Sequence, residues 1–227
     1  MAIPSTGIIL AAAGEGRRLG HRRPKALVPL AGAPLFLHSV RTFASLSFVR
    51  RIVIVFPEEW LDRILRAHGK TLLGLKVGAL VPGGDRRQDS VRNGLASCPT
   101  PLVLVHDAAR PLVTPGAIRD VARAAALHGA AVLAAPAVDT IKIADARGRV
   151  LSTPDRAGVW HAQTPQGFRR ELLEAAYRSH GGADATDDVQ LVERAGGRVV
   201  IVPSRDENFK VTTPSDLLRA KKMLDSR

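Results

Sequence analysis

Cysteine is nearly missing from this 227-residue chain, in which Cys98 stands alone. One thiol cannot close an intramolecular disulfide, so the chain is no disulfide-stapled scaffold and suits a reducing compartment. Nothing near Cys98 supplies a base partner, which leaves it an ordinary small residue beside a turn. Aromatic residues are scarce as well, at 4% of the chain. A base-stacking platform for single-stranded nucleic acid needs more of them. The core must rest on Ala, Val, Leu and Ile, the material of parallel strands covered by helices. No apolar run reaches the roughly 18–20 residues that a membrane-spanning helix requires. The opening MAIPSTGIILAAAG has neither the basic start nor the long apolar run of a secretory signal. These absences predict a cytoplasmic chain with no membrane partner.

Hydrophobic residues make up 45% of the sequence, so a packed core is within reach and disorder by composition is excluded. The length accommodates one full α/β domain, taken as residues 1–227. Lys and Arg exceed Asp and Glu by 33 − 21 = 12 charges. Such a surplus attracts anions, either nucleic acid or phosphorylated small molecules, while part of it merely solvates the surface. The basic residues are scattered, with no basic tail. Together with the few aromatics, this argues for small phosphorylated ligands and against nucleic acid.

Short apolar runs alternate with helical patterns. Strands are predicted at Gly7–Ala12, Arg51–Phe56, Leu75–Val81, Leu102–Val105, Ala131–Ala135 and Val199–Val202. Helices are predicted at Leu35–Ser45, Glu58–Ala67, Asp89–Ala96, Pro115–His128 and Pro214–Leu224, the last capped by Thr213. Strand–helix alternation at this spacing implies a doubly wound, mostly parallel sheet. Ligands in such sheets bind outside the carboxyl ends of the strands. Asp139–Pro154 breaks the rhythm: it alternates, is polar and has Arg147-Gly148 at its centre, which is a hairpin pattern. A hairpin leaving an α/β core cannot bury both faces alone, so it lies on its own sheet or on another subunit.

The segment AAAGEGRRLGHRRPKAL, residues 11–27, follows the first predicted strand. Its glycines allow close backbone approach, and its N–H groups can cradle phosphate oxygens. Arg17, Arg18, Arg22, Arg23 and Lys25 add five positive charges within nine residues. The loop is neither a Walker A motif, lacking the GK[ST] ending, nor a dinucleotide GxGxxG. Taken alone it leaves open a surface turn with solvated arginines.

The form AAAGxGxRxG followed by PKAL resembles the signature loop of sugar-nucleotide and alcohol-phosphate nucleotidyltransferases. Further segments are similar to one branch, the 2-C-methyl-D-erythritol 4-phosphate cytidylyltransferases. They are Gly83-Gly84-Asp85-Arg86-Arg87-Gln88-Asp89-Ser90-Val91, Val105–Pro111 (VHDAARP), Asp139-Thr140-Ile141-Lys142, Trp160–Gln166 (WHAQTPQ), Ala185-Thr186-Asp187-Asp188 and Asn208–Thr212 (NFKVT). The glycine loop is weakly specific, whereas the ordered set spans nearly the whole chain. Ala26-Leu27 stands where that family usually carries Gln and an aromatic residue.

The resemblance implies a Rossmann-like nucleotidyltransferase sheet with residues 139–156 as a protruding β-arm, exchanged in a homodimer. It implies cytidylyl transfer from CTP to 2-C-methyl-D-erythritol 4-phosphate, releasing pyrophosphate. Ribitol 5-phosphate is the alternative acceptor, because only the acceptor pocket separates the two activities. An acceptor phosphate is already ionised near neutral pH, so catalysis rests on positioning and charge stabilisation. Arg18, Lys25, Arg156 and Lys210 are the implied catalytic cations. Ala11, Ala12, Ala13, Gly14, Gly16, Lys25, Gly83, Gly84, Asp85, Arg87, Ser90 and Ala108 are the implied nucleotide site. Thr140, Arg156, Thr164 and Lys210 would bind the acceptor, as Arg, Lys and Thr suit a phosphorylated polyol. Asp107, just after the apolar run LVLV, is placed either to hold Mg²⁺ with phosphate oxygens or to serve as a turn aspartate. His106 is expected to be structural, since one His without a second ligand makes a poor metal site.

Overall fold

The computed structural model describes residues 2–14, 23–180 and 182–226. Its elements in chain order begin with β1 (Thr6–Ala11), the short pair β2 (Pro29–Leu30) and β3 (Ala33–Pro34), α1 (Leu35–Ala44), β4 (Val49–Phe56), α2 (Leu61–Leu73), β5 (Val77–Pro82), α3 (Arg87–Ala96) and β6 (Leu102–Asp107). They continue with α4 (Pro115–His128), β7 (Ala130–Pro136), β8 (Ile143–Ala144), β9 (Val150–Ser152), β10 (Trp160–Arg169), α5 (Arg170–His180), α6 (Asp188–Arg194), β11 (Val200–Pro203) and α7 (Pro214–Asp225).

Seven strands form one sheet in the order β11-β7-β10-β6-β1-β4-β5. Side chains alternate across a strand, so a strand covered on both faces must be apolar throughout. In β1, Ile8 and Leu10 enter one core with Phe36 and Phe43 of α1 and Ile118 of α4, while Ile9 enters the other with Val91 of α3, Leu173 of α5 and Val189 of α6. Full burial of such side chains stabilises by about 1.5–3 kcal/mol each. Gly94 of α3 lets that helix approach β1, because a Cβ there would stand 2.6 Å from Ile9 Cγ2 and 3.1 Å from Val55 Cγ2. Gly94→Ala should therefore destabilise the fold by about 1–3 kcal/mol, read as a lower Tm.

The expected strands and helices are present with ends shifted by a few residues. The helix expected from Glu58 begins as a 3₁₀ turn, Glu58–Trp60, and continues as α2 to Leu73. Thr213 caps α7 as expected, its hydroxyl accepting from the Asp216 N–H. Five of these elements were not expected: β2, β3, β10, α5 and α6. Strand β10 runs antiparallel between β6 and β7 and is the one reversed strand of the sheet. Its sequence, WHAQTPQGFR, is polar and carries a proline, so it reads as a loop. Its polar groups are buried against partners from distant segments: Thr164 meets His106, and Gln166 meets Asp187 and the Asp188 N–H. For α5 the signal was present in Leu173, Ala176 and Tyr177, which bury one helical face.

The hairpin forms where it was expected. Strands β8 and β9 pair antiparallel in a small sheet of their own. Gly148 takes φ +77° in the turn, and Asp145 accepts from the N–H groups of Arg147 and Arg149. Val138, Ile143, Val150 and Leu151 are exposed along it, by 78%, 49%, 60% and 66%. These values leave its apolar side chains largely uncovered among the described residues.

Candidate active site

The strand order reverses between β1 and β6, the switch point at which open α/β sheets bind ligands. A cleft of about 490 Å³ opens there at the carboxyl ends of the strands. Its floor is the segment leaving β1, where Ala12 donates its N–H to Val55 O and Ala11 O accepts from the Ala108 N–H. Lys25 reaches the same cleft because its N–H donates to Gly14 O at 3.3 Å and a 3₁₀ turn, Lys25–Leu27, follows. The opposite wall is the turn from β5 into α3. There Gly83 donates to Phe56 O, and Gly84 donates to Ser90 Oγ at 3.0 Å. A Cβ on Gly83 would lie 2.9 Å from Ala13 Cβ, so only glycine lets the two phosphate-scale loops come this close.

Asp107 ends β6 and faces the cleft with two cations on it. Lys210 Nζ lies 2.7 Å from Oδ2, and Arg87 Nε lies 3.3 Å from Oδ1. Burial opposes the charge of Asp107, but Arg87 and Lys210 outweigh it and hold the carboxyl well below the usual range. Arg87 also donates to Asp188 Oδ2 at 2.7 Å, and the Tyr177 hydroxyl donates to Asp188 Oδ1 at 2.6 Å. Burial likewise works against the Arg87 charge, yet Asp188 and Asp107 raise its pKa.

Beneath the cleft, His106 is buried with Nε2 3.1 Å from Arg110 O and Nδ1 2.9 Å from Thr164 Oγ1. A carbonyl only accepts, so the proton sits on Nε2 and Nδ1 accepts from the Thr164 hydroxyl. Thr164 Oγ1 in turn accepts from the Asp107 N–H at 3.1 Å. Burial pushes the His106 pKa down to about 4, so the ring is neutral at physiological pH, in keeping with the structural role expected of it.

One cleft thus gathers Ala11, Ala12, Ala13, Gly14, Lys25, Gly84, Asp85, Arg87, Ser90, Asp107, Ala108 and Lys210. Gly83 packs immediately behind it. Gly16 and Arg18 lie outside the described residues. Thr164, expected to meet the acceptor, is 4% exposed, with its hydroxyl committed to His106 and Asp107. Thr140 and Arg156 lie on the exposed arm, do not line this cleft, and Arg156 Nη1 donates to Val138 O at 2.6 Å. Sequence reasoning assigned no role to Asp188 or Tyr177. Their signal is a buried carboxylate beside an aromatic hydroxyl, and it appears only once the chain is folded.

Among the described residues, no group of three or more His, Cys, Asp or Glu could form an all-protein metal cage. Mg²⁺ needs none, since it binds through one or two carboxylates plus substrate phosphates. The ionised carboxylate of Asp107 on the cleft wall fits that donor set.

A sequence profile described as 2-C-methyl-D-erythritol 4-phosphate cytidylyltransferase matches residues 6–226. The chain is 45% identical over 225 residues to the 2-C-methyl-D-erythritol 4-phosphate cytidylyltransferase of Pelotomaculum thermopropionicum, covering 96% of this chain and 94% of that one. Its fold is similar to the crystal structure of the Thermus thermophilus enzyme of the same name, with TM-score 0.80, 32% identity and coverage of 96% and 98%. It is also similar to the 4-diphosphocytidyl-2C-methyl-D-erythritol synthase of Anaerococcus prevotii, with TM-score 0.83, 28% identity and coverage of 97% and 98%.

Proposed function

The chain belongs to the 2-C-methyl-D-erythritol 4-phosphate cytidylyltransferase family, and from that premise we propose how its cleft carries out the transfer of a cytidylyl group from CTP to 2-C-methyl-D-erythritol 4-phosphate. The observation that carries the reading is the convergence of Lys25, Lys210 and Asp107 on one cleft at the sheet's switch point. An oxygen of the acceptor phosphate attacks the α-phosphorus of CTP. A new P–O bond forms there, the bond to the bridging oxygen of the β-phosphate breaks, and pyrophosphate leaves with that oxygen and its electron pair. The product is 4-diphosphocytidyl-2-C-methyl-D-erythritol. The nucleophile is already anionic, so no side chain need remove a proton.

Backbone groups from Ala11 to Gly14 and the turn at Gly83 and Gly84 accept the nucleotide, and Asp85 and Ser90 shape its wall. Lys25 stabilises the charge that develops on the triphosphate, and Arg18 of the same sequence segment is proposed as a second cation for it. Lys210 leaves Asp107 for the acceptor phosphate, a move its half-exposed position permits. Asp107 would hold Mg²⁺, which when bound neutralises phosphate oxygens and orients them. Thr140 and Arg156 reach the acceptor from the arm of a second copy, because the arm's exposed apolar residues need a partner and the cleft of their own subunit lies elsewhere.

Pyrophosphate release is expected with CTP and 2-C-methyl-D-erythritol 4-phosphate, and not with CTP and ribitol 5-phosphate. Release with ribitol 5-phosphate alone would reverse the assignment of the acceptor.

A further inference from the structure

We infer that Asp188 is a positioning residue for the transfer reaction, holding the Arg87 guanidinium on Asp107 and off the nucleotide phosphates. Asp188 opens α6, and its side chain has no exposed surface. Both carboxylate oxygens are used: Oδ2 accepts from Arg87 Nη1 at 2.7 Å and Oδ1 from the Tyr177 hydroxyl at 2.6 Å. Its N–H donates to Gln166 Oε1 at 3.2 Å, and neighbouring Asp187 accepts from Gln166 Nε2 at 2.7 Å. Strand β10 therefore holds the start of α6, from which Asp188 reaches Arg87.

Arg87 needs such an anchor. Its side chain keeps 28% of its exposure and lines the cleft. A guanidinium there would be drawn to a triphosphate, which offers it paired, charged acceptors. Asp188 and Asp107 occupy two edges of the fork, which commits Arg87 to the protein. The two cations on Asp107 then differ in kind. Lys210, whose side chain is 42% exposed, can exchange Asp107 for a substrate phosphate, whereas Arg87 stays. Asp107 keeps one fixed counter-ion when Lys210 departs, and its orientation is set by Arg87 at the carboxylate and by Thr164 at the N–H. The segment Ala185-Thr186-Asp187-Asp188 thereby acquires a chemical role.

The inference rests on the reading that Asp107 serves the transfer, and a double-mutant cycle separates the two. Asp188→Asn keeps the shape and removes the charge. In the otherwise unaltered enzyme it should lower kcat by about tenfold or more, the scale seen for groups that orient a ligating residue. KM for CTP should stay level or fall, because the released Arg87 turns to the phosphates. In an Asp107→Asn background the same change should cost less than about twofold, since the group it orients is gone. Equal losses in both backgrounds, or a lower Tm with kcat unchanged, would overturn the inference while leaving the role of Asp107 intact. Full turnover by Asp107→Asn alone would overturn the underlying reading and the inference with it. If Asp188→Asn fails to fold, Tyr177→Phe removes one hydrogen bond from Asp188 and keeps its charge. A loss of kcat that disappears in the Asp107→Asn background supports the inference, and an equal loss in both backgrounds, or no loss, overturns it.

Discussion

Lys25→Ala should reduce kcat by about 10²–10³ while the protein remains folded, as expected when one preorganised donor to a developing charge is removed. The fold survives because the local structure at this position depends on the main chain. The Lys25 N–H still donates to Gly14 O, and the Lys25 carbonyl still accepts from the Val28 N–H, whatever the side chain. A change of about 0.5 kcal/mol or less in stability is the ordinary result for such a truncation away from the core. The kinetic loss should fall on kcat more than on KM for CTP, since a charge that matters most as the α-phosphorus is attacked gives more to the transition state than to the bound substrate. Steady-state kinetics beside a thermal melt checks both halves. Unchanged turnover would remove Lys25 from the mechanism.

Arg156→Ala should impair the acceptor side of the reaction, and under the proposed arm exchange it acts through a different subunit. Arg156 stands at the base of the arm, outside the cleft that holds Lys25 and Lys210. If the arm of one copy completes the cleft of the other, the variant should raise KM for the acceptor by about tenfold or more and leave KM for CTP nearly unchanged, because a lost charged hydrogen bond weakens phosphate binding on this scale. Subunit mixing gives the sharper result. Arg156→Ala and Lys25→Ala are each impaired alone. In a mixed dimer one cleft carries both defects, while the other combines an intact Lys25 with the partner's intact Arg156. Activity should therefore recover when the two variants are refolded together. No recovery, in a preparation where mixed dimers form, would place Arg156 in its own subunit's cleft or outside catalysis.

The parts of this protein that were legible in the sequence are those governed by local rules. Strands β1, β4 and β6 are covered on both faces and so read as unbroken apolar runs. Helix α4 begins with Pro115 behind the Thr114 cap, and α7 is framed by the Thr213–Asp216 capping box. The arm announced itself through alternation and a turn glycine at Gly148. The positions of residues 11–14, Gly84 and Asp107 in the cleft were each legible, because each follows a strand and lies at its carboxyl end. The set of segments in their order pointed to the family.

Tertiary structure alone decided how the charges are shared. Thr164 and Gln166 stand in a polar segment without a strand pattern, but they lie in a central strand, because partners nearly sixty and some twenty positions away satisfy them. Arg87 was legible as a cation of the nucleotide site, but not its place between Asp107 and Asp188, the latter about a hundred positions away. Such pairings leave no periodic trace, since a buried polar group is stable only beside its complement and the chain supplies that complement from a remote segment. The sequence by itself determined which residue types stand at the ends of the strands, and therefore the class of chemistry. Only the folded chain determined which of those charges are paired with one another, as Arg87 and Lys210 are with Asp107.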